Sequence, residues 1–138
     1  MIPGVIEEQA KRIDTKDLSG RPNGHILELF KDGKKTVAYL SAIAPHAFKG
    51  FHFHKVRSAR YLCLKGKVKV VLYKDKVRHE HLLEPGSRLF VPRQIVHGML
   101  NLTDEEAWVV NMPVPPYDPE LKGEQLDFSE EQLRRGEA

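Results

Sequence analysis

One cysteine, Cys63, stands in 138 residues, so no disulfide can form within the chain, and its apolar neighbours Tyr61, Leu62 and Leu64 mark it as a buried small hydrophobe. Nowhere do about twenty apolar residues run together, and residues 1–16 lack the charged start and apolar stretch of a secretion signal. Charge of one sign is missing too. Twenty-two basic and 19 acidic residues leave a net charge of +3, spread along the chain without a basic stripe for a nucleic-acid backbone. These absences lead us to expect a cytoplasmic protein that binds neither membrane nor nucleic acid, with a mild basicity that suits a small anionic substrate. Internal repeats and low-complexity tracts are also lacking, and helical periodicity is absent between residues 24 and 112.

That central region instead carries short apolar or alternating runs divided by turn residues, the pattern of an all-β sandwich or barrel. Strands are expected over 25–30, 35–43, 61–64, 67–73, 77–83, 88–91, 95–100 and 107–112, with a hairpin turn at Lys31, Asp32 and Gly33. In the run 67–73, Val68, Val70 and Leu72 share one face, which predicts burial of that face. A helix is expected only at the end, where Ser129 can cap residues 130–135. The segment 5–18 is open between strand and short helix. Pro113, Pro115, Pro116 and Pro119 make the stretch after Met112 extended, unfit for a central strand and able to drape across a barrel mouth. The length suits a single domain with its own core.

Three of the seven histidines are informatively placed. On a strand, His52 and His54 point to one face while Phe51 and Phe53 point to the other. Gly66 follows His52 by fourteen residues. Further on, five residues separate Gly86 from Pro92, four separate Pro92 from His97, and three separate His97 from Asn101. The two spacings, in this order, resemble the paired motifs of the cupins. The resemblance implies a single all-β cupin domain over 1–138, a double-stranded β-helix (jelly-roll barrel) with core 24–112, N-terminal arm 1–23, tail 113–138 and a short C-terminal helix. It also implies that His52, His54 and His97 face the barrel interior.

A closer likeness runs from Lys49 to Asp118. The stretch Lys49-Gly50-Phe51-His52-Phe53-His54-Lys55, the run from Cys63 to Tyr73, the triplet Val96-His97-Gly98 and the segment from Asn111 to Asp118 resemble the sugar-nucleotide branch of cupins. That branch holds dTDP-4-dehydrorhamnose 3,5-epimerases, small epimerase-related proteins and dTDP-sugar ketoisomerases of polysaccharide biosynthesis. It implies a cofactor-free isomerase acting on a dTDP-4-keto-sugar, with His52 as proton-abstracting base and Tyr117 as acid. Lys49, His54, Arg60, Arg93 and His97 would bind substrate, and the nearest candidate for the carboxylate that orients the base is Asp127. A neutral imidazole, with an ordinary pKa of about 6.5, can take a proton from carbon next to a ketone and return it. The same resemblance implies a homodimer, in which the segment 5–18 can join the partner's sheet.

Two alternatives stay open. Metal-binding cupins carry a glutamate ligand where this chain has Ala59, which leaves His52, His54 and His97 to hold one divalent zinc, nickel or iron ion in an oxygenase or isomerase. The other alternative is a sugar or nucleotide-sugar binder without catalysis. Of the remaining residues, one of Arg60, Arg88 and Arg93 is expected to grip a diphosphate. His79 and His81 are expected on an exposed strand face, His25 and His46 in loops, and Trp108 in the core.

Overall fold

The computed structural model describes residues 3–4, 7, 9–32, 36–115, 120 and 122–137. Among them the elements are β1 (Arg12–Lys16), β2 (Pro22–Asp32), β3 (Thr36–Ile43), β4 (Phe48–His54), β5 (Ala59–Lys65), β6 (Val68–Lys74), β7 (Val77–Leu83), β8 (Arg88–Val91), β9 (Val96–Asn101), β10 (Ala107–Asn111), β11 (Gln125–Asp127) and α1 (Glu130–Arg134). The strands form two antiparallel sheets, one in the order β1-β2-β3-β10-β5-β8 and one in the order β11-β4-β9-β6-β7. From β3 to β10 the chain passes back and forth between the sheets, save for the β6–β7 hairpin. The result is a jelly-roll barrel. Within the open segment 5–18, Arg12–Lys16 form β1, which pairs with β2 of the same chain, while residues 5, 6 and 8 of that segment and residue 33 of the expected hairpin turn lie outside the described residues.

The inner faces of the two sheets meet in one core that includes Ile43, Cys63, Val68, Val70, Val91 and Val109, each no more than 1% exposed. Cys63 is thus the buried hydrophobe its neighbours implied. Period two alone does not account for β6, however, because Val71 and Tyr73 on its other face are buried as well. They join Phe51, Val96 and Leu133 in a second cluster on the outside of the five-stranded sheet. Helix α1 lies over that cluster through Leu133, whose burial contributes about 2 kcal/mol. The helix starts where its chemistry says it should: Ser129 Oγ accepts from the N–H of Gln132 at 3.2 Å, and Gln132 Oε1 accepts from the N–H of Ser129 at 2.8 Å.

Asn101 locks the far end of the barrel. Its buried amide nitrogen donates to the carbonyls of Ile43, Ala44 and Glu105 at 3.0, 3.1 and 2.7 Å, and its oxygen accepts from the N–H and hydroxyl of Thr103. Two segments, the end of β3 and the β9–β10 connection, are therefore tied to one side chain. Two expectations need correction. His25 is not in a loop but in β2, where its backbone carbonyl serves a buried lysine. Trp108 is 36% exposed rather than core, because β10 turns Ala107 and Val109 inward and leaves the indole outside, under the Lys65 ammonium. His79 and His81 do lie on an exposed strand, the edge strand β7, and His46 lies in a turn.

Candidate functional site

Strand β4 carries the site, and an irregularity in its pairing decides what it presents. Lys49 pairs with Met99 and His52 with His97, although two residues separate the β4 positions and only one separates the β9 positions. The extra residue is a bulge at Gly50 and Phe51, which shifts the alternation so that Lys49, His52 and His54 all line one cavity while Phe51 turns into the outer cluster. Glycine is required there. Gly50 has φ +128°, and a Cβ on it would lie 2.7 Å from the Cα of Gly98 on the neighbouring strand. The bulge brings the rings of His52 and His54, and those of His54 and His97, to 6.3 Å between centroids.

The tail completes the site. Strand β11 pairs antiparallel with β4 and sets Asp127 opposite His52. One Asp127 oxygen stands 2.6 Å from His52 Nδ1 and takes a second hydrogen bond, at 3.1 Å, from the Gln125 amide. A carboxylate only accepts, and its 2.6 Å contact outweighs the Gln125 amide nitrogen 3.2 Å from the same ring atom, so Nδ1 carries the proton and the Nε2 lone pair is left for chemistry. The hydrogen bond from His52 holds the Asp127 carboxyl below its ordinary pKa, so it is ionised at neutral pH.

The other two imidazoles are committed differently. His97 Nδ1 faces the carbonyl of Ile95 at 3.0 Å and must donate to it, which leaves Nε2 to accept from the Tyr61 hydroxyl at 2.7 Å. Burial, with smaller effects of His54 and His52, depresses its pKa to about 4, so the ring is neutral. His54 Nδ1 lies 3.0 Å from an Arg57 guanidinium nitrogen, which can only donate, and farther, at 3.4 Å, from the Glu124 carboxylate, so the shorter arginine contact sets the tautomer. The proton of a neutral His54 therefore sits on Nε2. Burial first, and the Arg57 charge second, hold this imidazole below its ordinary value.

Arg57 is itself held by Glu124, 6% exposed, at 2.7 Å. Burial works against the Glu124 charge, but the N–H groups of Arg57 and Val56 and the guanidinium outweigh it and bring the carboxyl to about 2. Lys49, 7% exposed, donates from Nζ to the His25 carbonyl at 2.8 Å and the Ser41 hydroxyl at 3.0 Å. Burial lowers its pKa to about 8, which still leaves most of it cationic at pH 7.

These groups surround a cavity of about 430 Å³. A family model described as a cupin domain matches residues 39–113, more than half of the chain. The chain belongs to the cupin family. Among solved structures this cupin is similar to the capsular polysaccharide assembling protein CapF from Staphylococcus aureus, with TM-score 0.70, 17% identity, 84% of this chain and 31% of that chain covered. CapF with the inhibitor 3-isopropenyl-tropolone gives TM-score 0.71 and 18% identity over 84% of this chain and 34% of that one. An oxalate oxidase is similar at TM-score 0.59 and 18% identity, covering 72% of this chain and 55% of that one. This cupin thus spans about a third of CapF, and at such identities the likeness is one of fold. No curated protein matches it.

Of the substrate-binding residues expected in this cupin, Lys49, His54 and His97 reach the cavity with the expected base His52. Arg60 and Arg93 do not. Arg60 alternates with inward-facing Ala59 and Tyr61 and lies on the outer surface, its Nε donating to the carbonyl of Met112. Arg93 is exposed in the turn before β9, and Arg88 is exposed on β8; neither is among the residues around the cavity. Tyr117 lies outside the described residues. Tyr61, Arg57 and Glu124 belong to the site although no sequence motif pointed to them. Tyr61 carried a usable signal, the inward phase of β5 opposite an inward histidine, but it sat in a run that read as pure core.

A three-imidazole metal site does not fit this arrangement. Among the described residues no three His, Cys, Asp or Glu side chains are placed to share an ion. The reason is visible in the nitrogens: the His97 Nε2 lone pair takes the Tyr61 proton, and His54 is left with an Nε2–H. A metal would have to displace both partners to gain its ligands. Among the described residues no helix is long and apolar enough to cross a membrane.

Proposed function

We propose that this cupin is a sugar-nucleotide epimerase or isomerase that transfers a proton at the carbon beside the ketone of a dTDP-4-keto-sugar. The observation that carries the reading is the 2.6 Å pairing of His52 Nδ1 with Asp127 inside the cavity. His52 Nε2 takes the proton, the C–H electron pair moves into the carbonyl to give an enolate, and the imidazolium that forms is stabilised by the Asp127 carboxylate. Negative charge then grows on the carbonyl oxygen. The donor available to it is the Nε2–H of His54, whose ring is preorganised by Arg57. His97 and Arg60, expected from the resemblance to bind substrate, are committed elsewhere. Return of the proton from the opposite face falls to Tyr117 in this reading. The fold likeness to a protein named for capsular polysaccharide assembly is in keeping with a sugar substrate.

The test is proton NMR of a dTDP-4-keto-6-deoxy-sugar incubated with the protein in D2O. Loss of the signal at a carbon next to the ketone, abolished by His52→Ala, is the expected result. Binding without exchange would make the protein a non-catalytic binder. Neither binding nor exchange would remove the substrate class altogether.

A further inference from the structure

Strand β4 runs along the cavity, and residues of β1, β2 and β3 line the same cavity. Two polar side chains in this wall are incomplete. The amide of Asn23, 5% exposed, donates from Nδ2 to the Phe48 carbonyl at 2.9 Å. A carbonyl only accepts, so the amide cannot be turned round, and Oδ1 faces the other way. Among the described residues nothing donates to that oxygen. Thr15 Oγ1 is likewise buried and unpartnered, and Thr15 lines the same cavity as Asn23. Buried polar atoms in folded proteins nearly always have partners. Two orphans lining one cavity call for a donor from outside the chain.

The third component is Lys49. Its ammonium has three N–H bonds, and two of them go to His25 and Ser41. A third N–H is left, and Lys49 lines the same cavity as Thr15 and Asn23. A hydroxyl group is the ligand that suits such a set, because it donates one hydrogen bond and accepts another. Neighbouring hydroxyls on a sugar ring can satisfy both orphans and take the lysine's last proton. We propose that Thr15, Asn23 and Lys49 form a recognition subsite for vicinal hydroxyl groups, which holds the sugar ring so that its reacting carbon meets His52. The subsite deepens the sugar-nucleotide reading and rests on it, but it is tested by binding and not by turnover.

The experiment is calorimetric titration of wild type and Thr15→Val with dTDP-glucose and with its monodeoxy analogues. Valine has the shape of threonine without the hydroxyl, and a melting curve checks that the variant folds. We expect about tenfold weaker binding of dTDP-glucose by Thr15→Val, equivalent to ~1.4 kcal/mol. One monodeoxy analogue should bind wild type and variant alike, since its missing hydroxyl is the partner lost. Asn23→Leu should single out an adjacent hydroxyl. Equal affinity of both variants and wild type for dTDP-glucose overturns the subsite, as does wild type that binds none of the series. A crystal structure in which water stays on Thr15 and Asn23 with dTDP-glucose bound overturns it too. Deuterium exchange with unchanged variant affinities sinks the subsite alone, whereas hydroxyl-dependent binding without exchange sinks the isomerase alone.

Discussion

Replacing Asp127 by Asn tests whether the tail strand serves the base or merely covers the barrel. The amide keeps the size of the carboxylate and loses its charge, so β11 can stay paired with β4 while His52 loses its anionic partner. A hydrogen bond to a charged group contributes about 1.5–3 kcal/mol. The Asp127 side chain is 51% exposed and its ion pair correspondingly screened, which brings the expectation to the lower part of that range. At about 1.4 kcal/mol per tenfold, exchange of the substrate's α-proton should slow roughly 10- to 50-fold. Loss of the base itself in His52→Ala should cost more, on the order of 10²–10⁴. The assay is the initial rate of deuterium wash-in followed by NMR, with KM recorded separately. We expect the loss in kcat, since substrate binding does not pass through Asp127. Asp127→Asn exchanging at the wild-type rate while His52→Ala is inactive would refute the dyad, and an equal rise in KM with kcat unchanged would make Asp127 a binding group.

Other consequences are accessible without substrate. Asn101→Leu keeps the volume but leaves three carbonyls without their shared donor, so urea unfolding should show a loss of about 3–5 kcal/mol; a loss under 1 kcal/mol would mean that the two segments are held by other means. His97 also makes stability depend on pH. Its folded pKa of about 4 lies below the usual 6.5, so between these values the unfolded chain binds the extra proton and stability falls as the pH falls. From pH 6.5 to pH 5 the loss due to this ring should approach ~2 kcal/mol, and His97→Gln should unfold with a visibly shallower pH dependence. Tyr61→Phe removes the proton donated to His97 Nε2 and frees that lone pair. Zinc affinity measured by competition with a chelator should therefore rise in Tyr61→Phe over wild type, and no change would show that the tyrosine is not what occupies the ring.

Much of this was legible in the chain because alternation and motif spacing are local. Eight strands of the barrel could be read from apolar runs, and the interior placement of His52, His54 and His97 followed from period two plus the cupin-like spacing. Lys49 joined them only through the bulge at Gly50, which period two cannot foresee, although the likeness at Lys49-Gly50-Phe51-His52 did. What local pattern could not supply was partnership across long separations. Strand β11 is three residues long and follows a proline-rich stretch, so nothing in its own composition announced that it would pair with β4 seventy-five residues earlier. Asp127 was therefore reachable only as the nearest acid. Arg57 and Glu124 illustrate the same point, since a short loop residue and a tail residue acquire meaning once the tail is docked. Arginine misled in the other direction. Arg60 and Arg93 carry the chemistry of phosphate binding, but strand phase puts the first outside the barrel, and the second is exposed in a turn.

Everything in the proposed chemistry depends on which nitrogen of His52 carries the proton. Nitrogen-15 NMR of histidine-labelled protein at pH 7.5 reads this directly, without substrate. The account predicts His52 and His97 with the proton on Nδ1 and His54 with it on Nε2, and loss of the His52 preference in Asp127→Ala. A His52 protonated on Nε2 in the wild type would leave no lone pair facing the substrate and would contradict the assignment of the base.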